Sequence, residues 1–259
     1  MKLKTFAVFN DVHLAVSCSG SVKLLFEVLA DTSPDEIYIL GDLLDFYSIN
    51  FFGPRHPDIK FNVEDEIHSG IKFLEKLKEA CPDSDIMLCG GNHEIRLERF
   101  AIDKCPGFFN IFRVETMLQL ERLGIEYRKY QEIVQVGSAN LRMMHSPPSY
   151  GVNGARSSLL AKPGSSWIFA CSHRQQHASI SDSHGDVHHC WFNGWLGSTT
   201  ETDQHKIVYS FVKGHENWQR CFGLGVHDGE FFNYQQSSVI QKDNKFSTMA
   251  FGNYYEVET

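Results

Sequence analysis

The chain has no apolar run long enough to cross a bilayer, no closely paired cysteines and no excess of positive charge. A membrane helix needs about 20 consecutive apolar residues, so the first absence excludes a membrane-spanning reading. The cysteines number seven (Cys18, Cys81, Cys89, Cys105, Cys171, Cys190 and Cys221), an odd and irregularly spaced set without a C-x-x-C pair. That pattern argues against a disulfide framework or a zinc ribbon and predicts a reducing compartment. Lys and Arg total 24 against 32 Asp and Glu, a net charge of −8, which disfavours a broadly basic surface coating nucleic acid but leaves room for a local patch. The opening MKLKTFAVFNDVHL has basic residues and a short apolar run, but Asp11 and His13 interrupt it too early for a signal peptide. These features predict a soluble, cytoplasmic protein. Internal repeats, low-complexity tracts and flexible linkers are also lacking, so residues 1–259 are expected to form one domain.

What is present is an ordinary globular composition, 42% hydrophobic and 22% charged, able to bury a sizeable core. Histidine is abundant, at 13 residues, which directs attention to metal ligands.

The first half alternates strand and helix patterns. Residues 4–10, 36–40 and 85–89 read as short buried strands, and 21–30, 63–80 and 94 to about 104 as helices. Such alternation implies βαβ units and a largely parallel sheet. A further helix is expected over 111–122 and another over 152–161. From about 125 the pattern changes to short strands, over 125–130, 132–136, 141–145, 167–171, 206–211 and 221–226.

Polar residues punctuate the strand ends. The first strand runs into Asn10-Asp11-Val12-His13, the second into Gly41-Asp42-Leu43-Leu44-Asp45, and the third into Gly91-Asn92-His93-Glu94. In a parallel sheet these converge on one edge, where ligands gather. Two later strands deliver His145, then Cys171 and His173, which share a face if strand pairing continues that far. Each piece alone has an ordinary explanation. Gly-Asp is a common turn, Asn92 could cap a helix, and His145 or Cys171 could simply fill a core. Five such endings in order suit divalent metals better.

The combination D-x-H, G-D-x-x-D, G-N-H-E, a later strand-ending His and x-x-S-H resembles the signature of the calcineurin-like metallophosphoesterase superfamily, from Asp11 to His173. The stretches DFYSIN, GNHEIRLERF, FNGWLG and GHENWQ are similar to a branch common in bacteriophage and prophage genomes. The resemblance implies an α/β fold of four layers, an α/β/β/α sandwich of two mixed sheets flanked by helices. It also implies two divalent metal ions, manganese, iron or zinc. By motif position Asp11, His13 and His173 hold the first metal, Asp42 bridges both, and Asn92 and His145 hold the second. The seventh ligand is the first residue of the family's G-H-x-H motif. Here that segment is Ala170-Cys171-Ser172-His173, with cysteine in place of the histidine. Cys171 as a thiolate can ligate zinc or iron; as a thiol it leaves the second site weak or empty. His177, His184, His188 and His189 follow closely, either as substitute ligands or as residues of a surface hairpin.

The implied chemistry is hydrolysis of phosphate esters by in-line attack of a hydroxide bridging the metals. His93 resembles the family's catalytic histidine, with Glu94 beside it to orient it and Asp45 expected to accept a hydrogen bond from a ligand imidazole. Arg96 is expected to contact the substrate phosphate, and Arg99 to lie on an exposed helix face. The loop 47–60 combines Tyr47, Phe51, Phe52, Arg55, His56 and Lys60, which suits a nucleotide or single-stranded nucleic acid, or an ordinary packed loop. The aromatic C-terminal segment either paves a pocket or completes a sheet. Three readings follow: a phosphoesterase acting on phosphodiesters or nucleotide-like substrates, a nuclease acting on DNA or RNA ends, and a non-catalytic module with an impaired second metal site.

Overall fold

Three parallel strands, β1 (Lys4–Phe9), β2 (Glu36–Ile39) and β3 (Asp85–Cys89), are joined by crossover helices α1 (Ser19–Thr32) and α2 (Val63–Ala80). The computed structural model describes residues 2–50, 62–198 and 217–259. The expected strand over 206–211, and Phe51, Phe52, Arg55, His56 and Lys60 of the aromatic-basic loop, lie outside these residues.

α2 shows how the sequence sets an element. The Asn62 side chain accepts from Asp65 N at 3.0 Å, and Glu64, Asp65 and Glu66 fill the first turn, where the helix dipole favours acids. Ile67, Gly70, Phe73, Leu74 and Leu77 form one buried stripe, and the helix ends at Ala80, just before Cys81-Pro82. Phe73→Ala would remove the contacts this ring makes with Phe9 and Phe26, at a cost of about 3–5 kcal/mol.

The parallel strands bury both faces. Ala7, Phe9, Ile37, Ile39, Ile86 and Leu88 pack under the helices, while Phe6, Val8, Tyr38, Leu40 and Cys89 face a second sheet. Burial on both sides explains why these strands read as continuous apolar runs. β4 (Glu126–Arg128) extends one edge. The second sheet contains β5 (Val134–Gln135), β6 (Leu141–Met144), β7 (Ser166–Phe169), β8 (Gln176–Ser181) and β9 (Val187–Phe192), in the order β5-β6-β7-β9-β8. Its outer face, with Trp167, Phe169, Cys190 and Phe192, is covered by Ala155 and Leu159 of α6 (Gly154–Ala161). β10 (Cys221–His227), antiparallel to β1, and β11 (Phe232–Ser238), antiparallel to β10, complete the first sheet in the order β11-β10-β1-β2-β3-β4. Helices, two mixed sheets and helix together make the four-layer α/β/β/α arrangement. A small third sheet of β12 (Ile240–Lys242), β13 (Lys245–Ala250) and β14 (Asn253–Glu258) packs Phe246, Ala250 and Val257 into the α1 side of the core. The aromatic C-terminus therefore completes sheets. No helix among the described residues is long and apolar enough to cross a membrane.

Three expectations change. The helix over 111–122 is two short pieces, Val114–Met117 and Leu120–Leu123, separated by Gln119 at φ 55°. Leu118 and Leu120 are both buried, yet residues two apart lie on opposite sides of a continuous helix, so the chain breaks to bury both. The strand over 167–171 stops at Phe169, before Cys171 and His173. The strands expected over 125–130 and 132–136 shorten to β4 and β5.

Candidate metal centre

The carboxyl ends of β1, β2, β3, β6 and β7 meet at one edge, and the loops leaving them adopt unusual backbone. Asp11 (φ 48°), His13 (φ 47°), Asp42 (φ 51°), Cys171 (φ 64°) and His173 (φ 55°) all lie in the left-handed region. For residues other than glycine this conformation costs about 1 kcal/mol or more each, and it persists only where the surroundings enforce it. Cys171 and His173 therefore converge through strained loop backbone rather than strand alternation.

The enforcing contacts are visible. Asp11 N donates to Gly41 O and His13 N to Asp42 O, both at 3.0 Å. Glu94 Oε2 accepts from Gly91 N (2.7 Å) and Asp42 N (2.9 Å), and Glu94 Oε1 from Leu44 N (2.9 Å). Glu66 Oε2 accepts from Asp45 N (2.7 Å) and Phe46 N (2.6 Å). Two buried carboxylates thus clamp the loop after β2. Glycine is required where the loops touch: a Cβ on Gly91 would lie 2.1 Å from Asp42 Oδ1, and one on Gly41, at φ 83°, 2.7 Å from His145 Nδ1.

Within this frame the donors form three groups among the described residues: Asp11, His13 and His173; Asp42, His145 and Cys171; and His13, Asp45 and His93, which shares His13 with the first. Asp11 Oδ2 accepts from Asn10 Nδ2 (2.5 Å) and Cys171 N (2.9 Å), leaving Oδ1 directed at His173 Nε2, 3.2 Å away. His13 Nε2 lies 3.2 Å from His173 Nε2. In the second group His145 Nε2 approaches Asp42 Oδ2 at 3.3 Å and Asn92 Oδ1 at 2.9 Å, and Cys171 Sγ reaches the same Asn92 oxygen at 2.9 Å. The Leu40 carbonyl, 2.5 Å from His145 Nδ1, can only accept, so a proton sits on Nδ1 and Nε2 is the atom that faces the site, where its lone pair is available to a metal in the neutral ring. Asp45 Oδ1 lies 3.3 Å from His13 Nδ1, likewise directing Nε2 inward.

The donor set fits divalent metals. Facing imidazole nitrogens, free carboxylate oxygens and a sulfur crowd together in a buried space, and a shared cation relieves that arrangement best. Electrostatics reflect the crowding. Burial opposes charge on Asp42, but the imidazoles of His145, His93 and His13 hold its carboxyl well below the usual range. Burial likewise opposes protonation of His13, but Asp45, Asp42 and Asp11 together raise its pKa to about 9. Burial raises Glu94 to about 7, with the Asp42 charge adding.

Asp11, His13, Asp42, Asn92, His93, Glu94, Arg96, His145, Cys171 and His173 lie at this edge, though not all make the expected contacts. Asn92 does not cap α3 (Glu94–Lys104); the cap position is His93, and the Asn92 amide oxygen faces His145 and Cys171 instead. Glu94 does not orient His93, because its two oxygens are committed to backbone amides. Asp45 takes that place, with Oδ1 2.9 Å from His93 Nδ1. Arg96 donates through one terminal nitrogen to Asp45 O (2.7 Å) and through the other to His93 Nε2 (2.9 Å), while Arg99 is exposed as expected. Tyr47, the described residue of the aromatic-basic loop, is buried. His177, His184, His188 and His189 belong to the β8–β9 hairpin and join none of the donor groups.

Several residues at the site carry no sequence signal. Glu66 looks like an ordinary acid in a first helical turn. Trp195 stacks on His173 (5.0 Å between ring centroids, planes 9° apart), and Trp218 meets the same ring edge-on at 4.2 Å. Tyr150 OH lies 3.9 Å from Cys171 Sγ. Nothing in the spacing of Trp195 and Trp218 assigns them to the site.

Donors of this kind at the ends of parallel strands form a candidate site for divalent metal. Residues 4–252 match the Calcineurin-like phosphoesterase family, and the chain belongs to it. No curated protein sequence matches the chain. Among solved structures it is similar to Vps29 of Chaetomium thermophilum (11% identity, 99% of this chain and 95% of that one, TM-score 0.47). It is similar also to vacuolar protein sorting 29 of Cryptosporidium parvum (12%, 99% and 99%, 0.47) and to a dimetal phosphatase from Danio rerio (11%, 98% and 98%, 0.40). Likeness this distant carries nothing about activity.

Proposed function

We propose that the protein is a metal-dependent phosphoesterase acting on phosphodiesters or nucleotide-like esters. Asp11, His13 and His173 would hold one divalent ion, Asn92, His145 and Cys171 a second, and Asp42 would bridge them. The observation that carries this reading is the convergence of these seven donors at one edge beside a histidine held between an acid and a guanidinium. Bound metals would supply an acidified water and positive charge against the phosphoryl oxygens.

The chain's own residues supply the rest. A guanidinium only donates, so Nε2 of His93 is its acceptor and the ring proton lies on Nδ1, against Asp45. Burial lowers the His93 pKa, with the Arg96 and His13 charges adding, although Asp42 and Asp45 pull it upward. His93 is thereby a neutral base whose Nε2 can take up or hold a proton, with Asp45 placed to offset the imidazolium charge. Arg96 can turn one nitrogen from His93 to a substrate oxygen while the other stays on the Asp45 carbonyl. Trp195 and Trp218 beside His173, and Tyr150 beside Cys171, support an ester bearing a planar group.

A second reading rests on Cys171. A thiol that donates to Asn92 Oδ1 would leave the second metal position without its thiolate, with Asp42 as its one anionic ligand, and the protein would act by binding.

The test is hydrolysis of p-nitrophenyl phosphate and bis-p-nitrophenyl phosphate by metal-stripped protein resupplied with manganese, iron or zinc. Turnover restored by metal and lost in His173→Ala supports the esterase, and the preferred ester ranks diesterase against monoesterase. A folded protein silent with every metal overturns it. Salt-sensitive binding of DNA or RNA would shift the substrate toward nucleic acid ends.

A further inference from the structure

On the β8–β9 hairpin, away from the strand-end centre, two histidines meet. The antiparallel register sets His177 opposite Trp191 and Ser179 opposite His189, so His177 and His189 are diagonal neighbours on one face. His177 Nε2 lies 3.1 Å from His189 Nδ1, with ring centroids 5.3 Å apart and planes within 15°. Both rings lie nearly parallel to the indole of Trp191, at 5.2 Å and 5.1 Å between centroids, so the three rings share one aromatic platform. Trp191 is in turn wedged edge-on against Tyr234 and Phe232 of β11, so the platform is part of the core. The pair opens on a cavity of about 800 Å³ between the edges of the two sheets, whose wall also carries the carboxylates of Asp186 and Glu230.

We propose that His177 and His189 form a binding site for a borderline divalent transition metal, with Cu2+ or Ni2+ the best fit. Two imidazole nitrogens 3.1 Å apart, each bonding a metal at about 2.0–2.1 Å, subtend an N–metal–N angle of about 95–102°, between the square-planar and tetrahedral values, and among the divalent ions that imidazole suits Cu2+ is bound most tightly. The nitrogen and centroid separations set the two ring nitrogens nearly head-on, so each ring must swing by about 40° for both lone pairs to converge on one ion, a movement that the exposed His177 is free to begin. In the metal-free protein a single shared proton satisfies the pair; the metal replaces it. Remaining positions would face the cavity and take water. His188 is excluded as a third ligand because its Nε2 is held by Asp182 Oδ2 at 3.1 Å. The site does not depend on the phosphoesterase reading, since it shares no ligand with the strand-end centre.

The test is titration of the full-length, metal-stripped protein with Cu2+, followed by electron paramagnetic resonance and tryptophan emission. The parent should bind one equivalent more than either His177→Gln or His189→Gln, and its spectrum should include a component with two nitrogen ligands that both variants lose. Cu2+ over Trp191 should quench part of the emission in the parent. That quenching step should be missing in the two histidine variants and reduced in Trp191→Phe. Asp42→Asn, which weakens the strand-end centre, should keep the hairpin equivalent. Unchanged melting temperature and metal-dependent ester hydrolysis in His177→Gln would show that only the hairpin was altered. Equal copper stoichiometry and equal quenching in the parent and the folded histidine variants would overturn the site.

Discussion

Asp45 Oδ1 lies 2.9 Å from His93 Nδ1, so a buried carboxylate from the loop after β2 fixes the tautomer of the histidine that opens α3. The same oxygen lies 3.3 Å from His13 Nδ1. One acid therefore orients both a metal-type ligand and the neighbouring base. Asp45→Asn keeps an acceptor but removes the charge. We expect kcat/KM for bis-p-nitrophenyl phosphate to fall about 10–100-fold, the range seen when such supporting partners are lost. Steady-state kinetics at saturating metal check this, and unchanged kinetics would reduce Asp45 to a turn residue.

Cys171 decides between the two functional readings. In protein loaded with Co2+, a thiolate ligand produces a sulfur-to-metal charge-transfer band. The band is expected in the parent and absent in Cys171→Ser, whose second equivalent should bind more weakly. Cys171→His, restoring the residue usual in the family, should bind two equivalents without the band. A parent lacking the band at full occupancy would favour the impaired-site reading.

Gly91 has no room for a side chain. Its added Cβ would lie 2.1 Å from Asp42 Oδ1 and 2.3 Å from Asp42 N, both held in place by the clamp on the β2 loop. Gly91→Ala should destabilise the fold by about 1–3 kcal/mol, as overpacking does, and should abolish metal binding. Denaturant unfolding and metal titration read the two effects. Gly107→Ala, with nothing within 4 Å, is the control expected to leave both unchanged.

Glu66 couples stability to pH. Burial, with the Asp45 charge adding, pushes its carboxyl up to about 8. A carboxyl raised in the folded state stabilises the fold fully below its unfolded pKa, near 4.3, and loses that contribution as pH rises through the folded value. The melting temperature of metal-free protein should therefore fall between about pH 5 and pH 9, and less steeply in Glu66→Gln. Parallel profiles for the two proteins would remove Glu66 from the account.

Much of this molecule was legible in one dimension. β1, β2 and β3 are apolar because both faces are buried, α2 carries its cap and stripe in its own residues, and strand ends bearing Asp, Asn and His announce a ligand edge. Less local features were not legible. The helix over 111–122 breaks because Leu118 and Leu120 must both reach one core, a demand that periodicity within the segment does not express. The adjacency of Glu94 and His93 suggests a pair, but proximity in sequence loses to three backbone amides, Asp42 and Leu44 from the loop after β2 and Gly91 from the turn before α3.

The sequence by itself therefore determined the residue types at the strand ends, the α/β alternation and the cysteine where a histidine is usual. Those are properties of local pattern, which burial and strand geometry impose within each segment. Only the tertiary structure decided that Asp45 rather than Glu94 holds His93, that Glu66 helps clamp the β2 loop, that Trp195 and Trp218 flank His173, and that His177 and His189 meet over Trp191. Each depends on chain segments distant in sequence arriving within about 3–5 Å, the range over which hydrogen bonds and ring contacts act.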